Sequence, residues 1–86
     1  MPYIKKSERD FLDWVVDALH VNAGDEPLEN GRLNYLLFAY CKRHVPPSYN
    51  NYKNFIGELN ECVAEIRRRL LAPYEDQKII ENGDVL

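Results

Sequence analysis

Residues 49–72 hold the longest regular pattern in this chain. Tyr52, Phe55, Ile56, Leu59, Val63, Ile66 and Leu70 recur at three- and four-residue spacing, the mark of an amphipathic helix with one apolar stripe. Pro73 follows, and proline disfavours helical backbone in the residue before it, so the pattern predicts a helix from about Tyr49 that ends at Ala72. Everything else in an 86-residue chain is short beside it.

Two shorter helices precede it. Phe11, Trp14, Val15, Ala18 and Leu19 form one stripe, expected to be buried, which predicts helix over about 8–21, with Asp10, Asp13 and Asp17 off the stripe. Ser7 followed by Asp10 approximates a capping box. Asn22-Ala23-Gly24-Asp25 reads as its stop, with Gly24 suited to a left-handed cap. An acidic loop runs to Gly31. Leu33, Leu36, Leu37, Tyr40, Cys41 and His44 then define the inner face of a helix over 32–44, ended by Val45-Pro46-Pro47.

A chain of this length makes one domain, 1–86, and buries only roughly 60% of its unfolded surface, so it wants help from oligomerisation, metal or disulfides. No apolar run approaches the roughly 18 residues of a membrane span, and Met1-Pro2-Tyr3-Ile4-Lys5-Lys6 lacks the apolar core of a signal peptide. A cytoplasmic protein is expected. Cys41 and Cys62 fall on different helices and are expected to be reduced and packed. Cys41 and His44 sit three apart on one helix, but no close-spaced cysteine pair supports a metal site. No metal and no cofactor are predicted.

Charge is unevenly laid out. Residues 1–29 carry three bases against seven acids; residues 30–72 carry seven against three; residues 73–86 carry one against four. A basic middle lies between acidic ends. Internal complementarity accounts for this, and so does a basic surface for an anionic ligand. Duplex DNA is not an expected partner, because such binders carry a large basic excess.

The last fourteen residues bear on both readings. Asn82-Gly83 is a turn signal between Ile79-Ile80 and Val85-Leu86, so a small hairpin, a pairing of Val85 with Tyr3-Ile4, or a short helix from Pro73 are all open. The favoured form is an extended acidic arm, residues 73–86, lying on the basic middle or on a neighbouring chain. The fold class expected is all-α: a small three-helix domain with an extended C-terminal arm and, as an option, a minimal β pairing of the two termini.

No catalytic constellation stands out: there is no glycine-rich phosphate loop and no Ser-His-Asp spacing. The strongest binding candidates are Arg67, Arg68 and Arg69, whose guanidinium forks suit phosphates or carboxylates. The competing use is structural: Glu65 can pair with Arg69, and Glu75 and Asp76 can fold back on Arg67 or Arg68. Six tyrosines are many for this length. Tyr3, Tyr35 and Tyr74 suit stacking against a base, and Asn34, Asn82 and Asp84 suit reading its polar edges. Gly57, Ala64 and Leu71, seven apart and opposite the stripe of the long helix, would let another helix or a flat ligand come close, and a tolerated surface glycine accounts for Gly57 equally.

Several blocks together resemble a family of small, functionally uncharacterised proteins of phages, prophages and prokaryotic genomes. They are Met1-Pro2-Tyr3-Ile4, Leu33-Asn34-Tyr35, Ile56-Gly57-Glu58-Leu59, Glu65-Ile66-Arg67-Arg68-Arg69, Pro73-Tyr74-Glu75-Asp76-Gln77-Lys78 and Glu81-Asn82-Gly83-Asp84-Val85. The resemblance spans nearly the whole chain. Leu59-Asn60-Glu61-Cys62 departs from the Leu-Glu-Cys-Ala more common there. The resemblance implies no activity; its phage association implies, by analogy, a counter-defence role.

The function expected is a non-enzymatic binder of a small anionic ligand, of the kind that sequesters a nucleotide immune signal, acting as a homo-oligomer. The alternative is a protein-interaction module that binds and inhibits a host protein.

Overall fold

The computed structural model describes residues 4–23, 28 and 31–85. The fold is all-α, and among the described residues no strand forms. Helix α1 spans Lys6–Ala23, α2 Arg32–His44 and α3 Tyr49–Ile66; a π-helical turn over Arg67–Leu71 leads into α4, Ala72–Asn82. The described residues fall into two units, one ending at Tyr52 and the other starting at Lys53.

Helix α1 begins two residues before its predicted start. Glu8 N–H donates to the Lys5 carbonyl at 3.0 Å, and the Arg9 Nε and Nη2 both donate to the Ile4 carbonyl, at 3.2 and 3.1 Å. Ser7 therefore lies inside the helix rather than capping it. On the predicted stripe Val15 and Ala18 are half-buried, while Phe11 and Trp14 are 69% and 66% exposed. Gly24, the predicted left-handed cap, lies outside the described residues.

Helix α2 has the predicted bounds. Gly31 stands before it with φ +88°, a left-handed conformation that glycine adopts without steric cost. Val45 takes extended backbone at the other end, donating its N–H to the Cys41 carbonyl at 3.1 Å, as expected of a residue before Pro46. Helix α3 is capped by Ser48: its Oγ accepts the Asn51 N–H at 3.0 Å, and its carbonyl accepts the Tyr52 N–H at 3.1 Å. The Asn51 Nδ2 reaches back to the Pro46 carbonyl at 2.9 Å, fixing the turn between the helices.

Pro73 does not end the third helix. The wider π turn carries the Ala72 N–H to the carbonyl of Arg67, five residues back. A proline inside an α-helix lacks an N–H and its ring clashes with the carbonyl four residues before it. A π turn widens the backbone at that point and re-phases the hydrogen bonds, so α4 starts afresh with Pro73 in its first turn, where a missing N–H costs nothing. The expected extended arm is thus replaced over 73–82 by helix, the short helix from Pro73 that the sequence had left open. Asn82-Gly83 is the end of α4 rather than a hairpin turn. Gly83, at φ +85°, donates its N–H to the Ile79 carbonyl at 2.8 Å. Residues 83–85 form no strand; Tyr3 and Leu86, the other members of the optional β pairing, lie outside the described residues.

Among residues 4–20, 28 and 31–85 none is buried. The apolar stripes are laid out on the helices as the periodicity predicted, but Ile56, Val63, Ile66 and Leu70 on the third helix remain between 49% and 65% exposed.

Candidate functional site

The arginine run occupies the π turn. Arg68 Nη2 donates to both oxygens of Glu65 at 3.0 Å, and Arg69 Nη1 lies 3.7 Å from Glu65 Oε2. The Glu65 side chain is 13% exposed, against 63% and 57% for the two arginines. The Arg68 hydrogen bond holds the Glu65 carboxyl below its ordinary value, working against desolvation, and the charges of Arg68 and Arg69 add to the lowering. Two of the three guanidinium groups therefore share one carboxylate. Arg67 is left without an ion-pair partner among the described residues. Beside the run, Glu65, Ile66, Arg69 and Leu70 line an open groove of ≈ 340 Å³.

Glu75 and Asp76 do not meet the arginines in any ion pair among the described residues, because helix, not an extended arm, carries them. The acidic end is instead tied to itself. Lys78 Nζ sits 3.1 Å from Glu81 Oε2, and Gln77 Nε2 donates to Glu81 Oε1 at 3.5 Å. Lys78 Nζ also lies 5.5 Å from the centre of the Tyr74 ring, a cation–π contact that gives Tyr74 a partner within its own helix. Asn82 is the last residue of α4, and Asp84 Oδ1 accepts the Val85 N–H at 2.7 Å.

Asn34 and Tyr35 stand in the first turn of α2, in the other unit, and both are exposed. Tyr35 lines a groove of ≈ 410 Å³ along one face of α2 with Phe38, Ala39, Lys42 and Arg43. Tyr3 lies outside the described residues. The arginines, Tyr74, Asn82 and Asp84 thus share one continuous helical segment, and Asn34 and Tyr35 belong to another. Among the described residues no group of acidic, histidine and cysteine side chains is arranged to hold a metal. Cys41 and Cys62 are free thiols, and Cys62 is exposed rather than packed.

Sequence reasoning assigned Phe11 and Trp14 to a core. The structure stacks them on each other, with ring centres 6.2 Å apart and planes 30° apart, and leaves both in solvent. Phe38, two-thirds exposed beside Lys42 and Arg43 on α2, was passed over because it falls outside the predicted inner face. The available signal was aromatic content: Phe11, Trp14, Tyr35 and Phe38 are large rings at helical spacing in a chain too small to bury them all.

No helix is long and apolar enough to cross a membrane among the described residues. No match was found among curated proteins or among solved structures. The family described as Domain of unknown function (DUF6899) matches residues 1–85, and the chain belongs to it.

Proposed function

We propose that this member of the family works by association rather than catalysis, as an interaction module that binds another protein through exposed aromatic side chains. The observation that carries the reading is the Phe11–Trp14 stack on α1, two-thirds exposed and preorganised by its own ring contact. Large aromatic side chains dominate the energetics of protein interfaces because they bury much area at little entropic cost. The same reading includes self-association, since none of residues 4–20, 28 and 31–85 is buried within one chain.

The test is capture of a stoichiometric protein complex by the full chain from lysate of a host cell. A complex lost in Trp14→Ala and retained when Arg67 and Arg69 are changed to alanine is the expected result. A complex indifferent to Trp14 and Phe11, or none at all, overturns it.

A second reading, sequestration of a small nucleotide-like anion, is favoured by one observation: the Arg67 guanidinium, unpaired among the described residues on a helix whose neighbouring arginines are held in place by Glu65. Mass spectrometry of ligand released from purified protein, with thermal shifts across a panel of cyclic and ADP-ribose-derived nucleotides, tests it. A shift that disappears in Arg67→Ala supports this reading. No released nucleotide and no shift overturns it.

A further inference from the structure

The fourteen carboxylates of this chain all avoid one long stretch. Residues 30–57 contain no Asp or Glu, yet they hold four of the eleven Lys and Arg residues, four of the six tyrosines, two of the three phenylalanines and five asparagines. Cations, rings and amides without carboxylates are the surface chemistry that suits a polyanion carrying flat bases.

Helix α2 lies inside this stretch and sorts it by face. At about 3.6 residues per turn, Leu33, Leu36, Leu37, Tyr40 and Cys41 share one side. Tyr35, Phe38, Ala39, Lys42 and Arg43 share the opposite side and line the open groove of ≈ 410 Å³. Tyr35 and Phe38 are 65% and 66% exposed there, and Lys42 and Arg43 are exposed beside them. Neither Lys42 nor Arg43 makes an ion pair among the described residues. Tyr40, on the other side, is engaged by His44, with ring centres 5.3 Å apart. Compensation of the negative end of the helix dipole accounts for cations in the last turn of α2. It accounts neither for two large rings on the same outward face nor for the missing carboxylates.

We propose that this face of α2 binds single-stranded nucleic acid, with bases stacked on Tyr35 and Phe38 and phosphates held by Lys42 and Arg43. The two rings stand about 4.5 Å apart along the helix axis, and Lys42 follows about 6 Å further on. A strand lying along the face therefore meets rings first and charges next. Asn34, exposed in the first turn beside Tyr35, carries an amide that can donate to or accept from a base edge.

Other occupants use only part of this surface. An anionic membrane calls for rings within an apolar strip, whereas here the rings stand among the cations and the leucines lie opposite. A duplex offers phosphates but keeps its bases stacked away from the rings. A mononucleotide would leave most of its surface in water on a convex helix face, where a binding pocket buries most of its ligand. An acidic peptide answers the two cations alone. The proposal goes beyond the Phe11–Trp14 surface and the Arg67 anion site, and it uses none of their residues.

The test is fluorescence anisotropy of a labelled oligothymidylate of about a dozen nucleotides titrated with the full chain. Saturable binding is expected, with log affinity falling against log salt at a slope of about −1.4, roughly −0.7 for each of two phosphate contacts. Lys42→Gln is expected to halve that slope. Tyr35→Ala and Phe38→Ala are each expected to weaken binding about tenfold with the slope unchanged, and Tyr35→Phe, which keeps the ring, to bind as the unaltered chain does. The substituted side chains are exposed, so helix content by circular dichroism is expected to hold in every variant. Absence of binding overturns the proposal. So does equal or tighter binding of a duplex of the same length, of polyglutamate or of phosphatidylserine vesicles. An affinity that falls in Arg67→Ala and not in Lys42→Gln overturns it too, and moves the anion to the arginine turn.

Discussion

At Glu65 a single carboxylate organises two arginines, and the sign of its pH dependence follows. Its folded pKa lies below the ordinary carboxylate value because Arg68 donates to it and Arg68 and Arg69 surround it with positive charge. Its contribution to stability is complete above the ordinary carboxylate range and is lost as pH falls through that range to the lowered folded value. Helix content of the unaltered chain, followed by circular dichroism, is expected to fall in this acid window by more than that of Glu65→Gln. Identical acid limbs would remove the pair from the account. The Glu65–Arg69 spacing was legible in the sequence. That Arg68, three residues on, makes the shorter contact was not, because the choice between i+3 and i+4 partners depends on backbone winding at the π turn. Ser48 offers a second test at this scale. Its hydroxyl caps α3, so Ser48→Ala is expected to destabilise the protein by about 1 kcal/mol in thermal unfolding, and an unchanged melting temperature would show the cap to be dispensable.

At the scale of elements, the third helix separates what periodicity reveals from what it hides. Its stripe was legible over 52–70, because spacing is local. The passage through Pro73 was not. A π turn has no sequence signature of its own, and it lets proline sit at a helix start that the chain reaches without leaving helix. Pro73→Ala removes the ring that keeps the backbone wide. The turn is then expected to tighten to ordinary α geometry, read as a changed pattern of sequential proton contacts across Arg67–Leu71 by NMR. Persistence of the π turn would assign it to the arginines instead. Gly57→Ala addresses which face of α3 is used. Alanine is worth about 1 kcal/mol over glycine in a helix interior, and open space surrounds the site, so the melting temperature is expected to rise. A fall in the melting temperature together with dissociation would put the partner on the Gly57-Ala64-Leu71 face.

For the whole molecule, the all-α class and the bounds of α2 follow from stripes and stop signals that any reader of the sequence can find. What does not follow is whether a stripe is covered within one chain. Periodicity shows that Phe11, Trp14 and Val63 lie on apolar faces; it does not say what they face. Among residues 4–20, 28 and 31–85 none is buried: Leu37, Phe55 and Leu59 are half-buried, and Phe11, Trp14, Ile56 and Leu70 stay largely in solvent. The proposed association would tie the folding of so short a chain to what it binds. The direct measurement is the melting temperature of the full chain, followed by circular dichroism over a roughly 100-fold range of protein concentration. Folding linked to self-association makes the melting temperature climb steadily with concentration. A melting temperature that stays constant across that range, with the mass of a single chain throughout, would contradict the account.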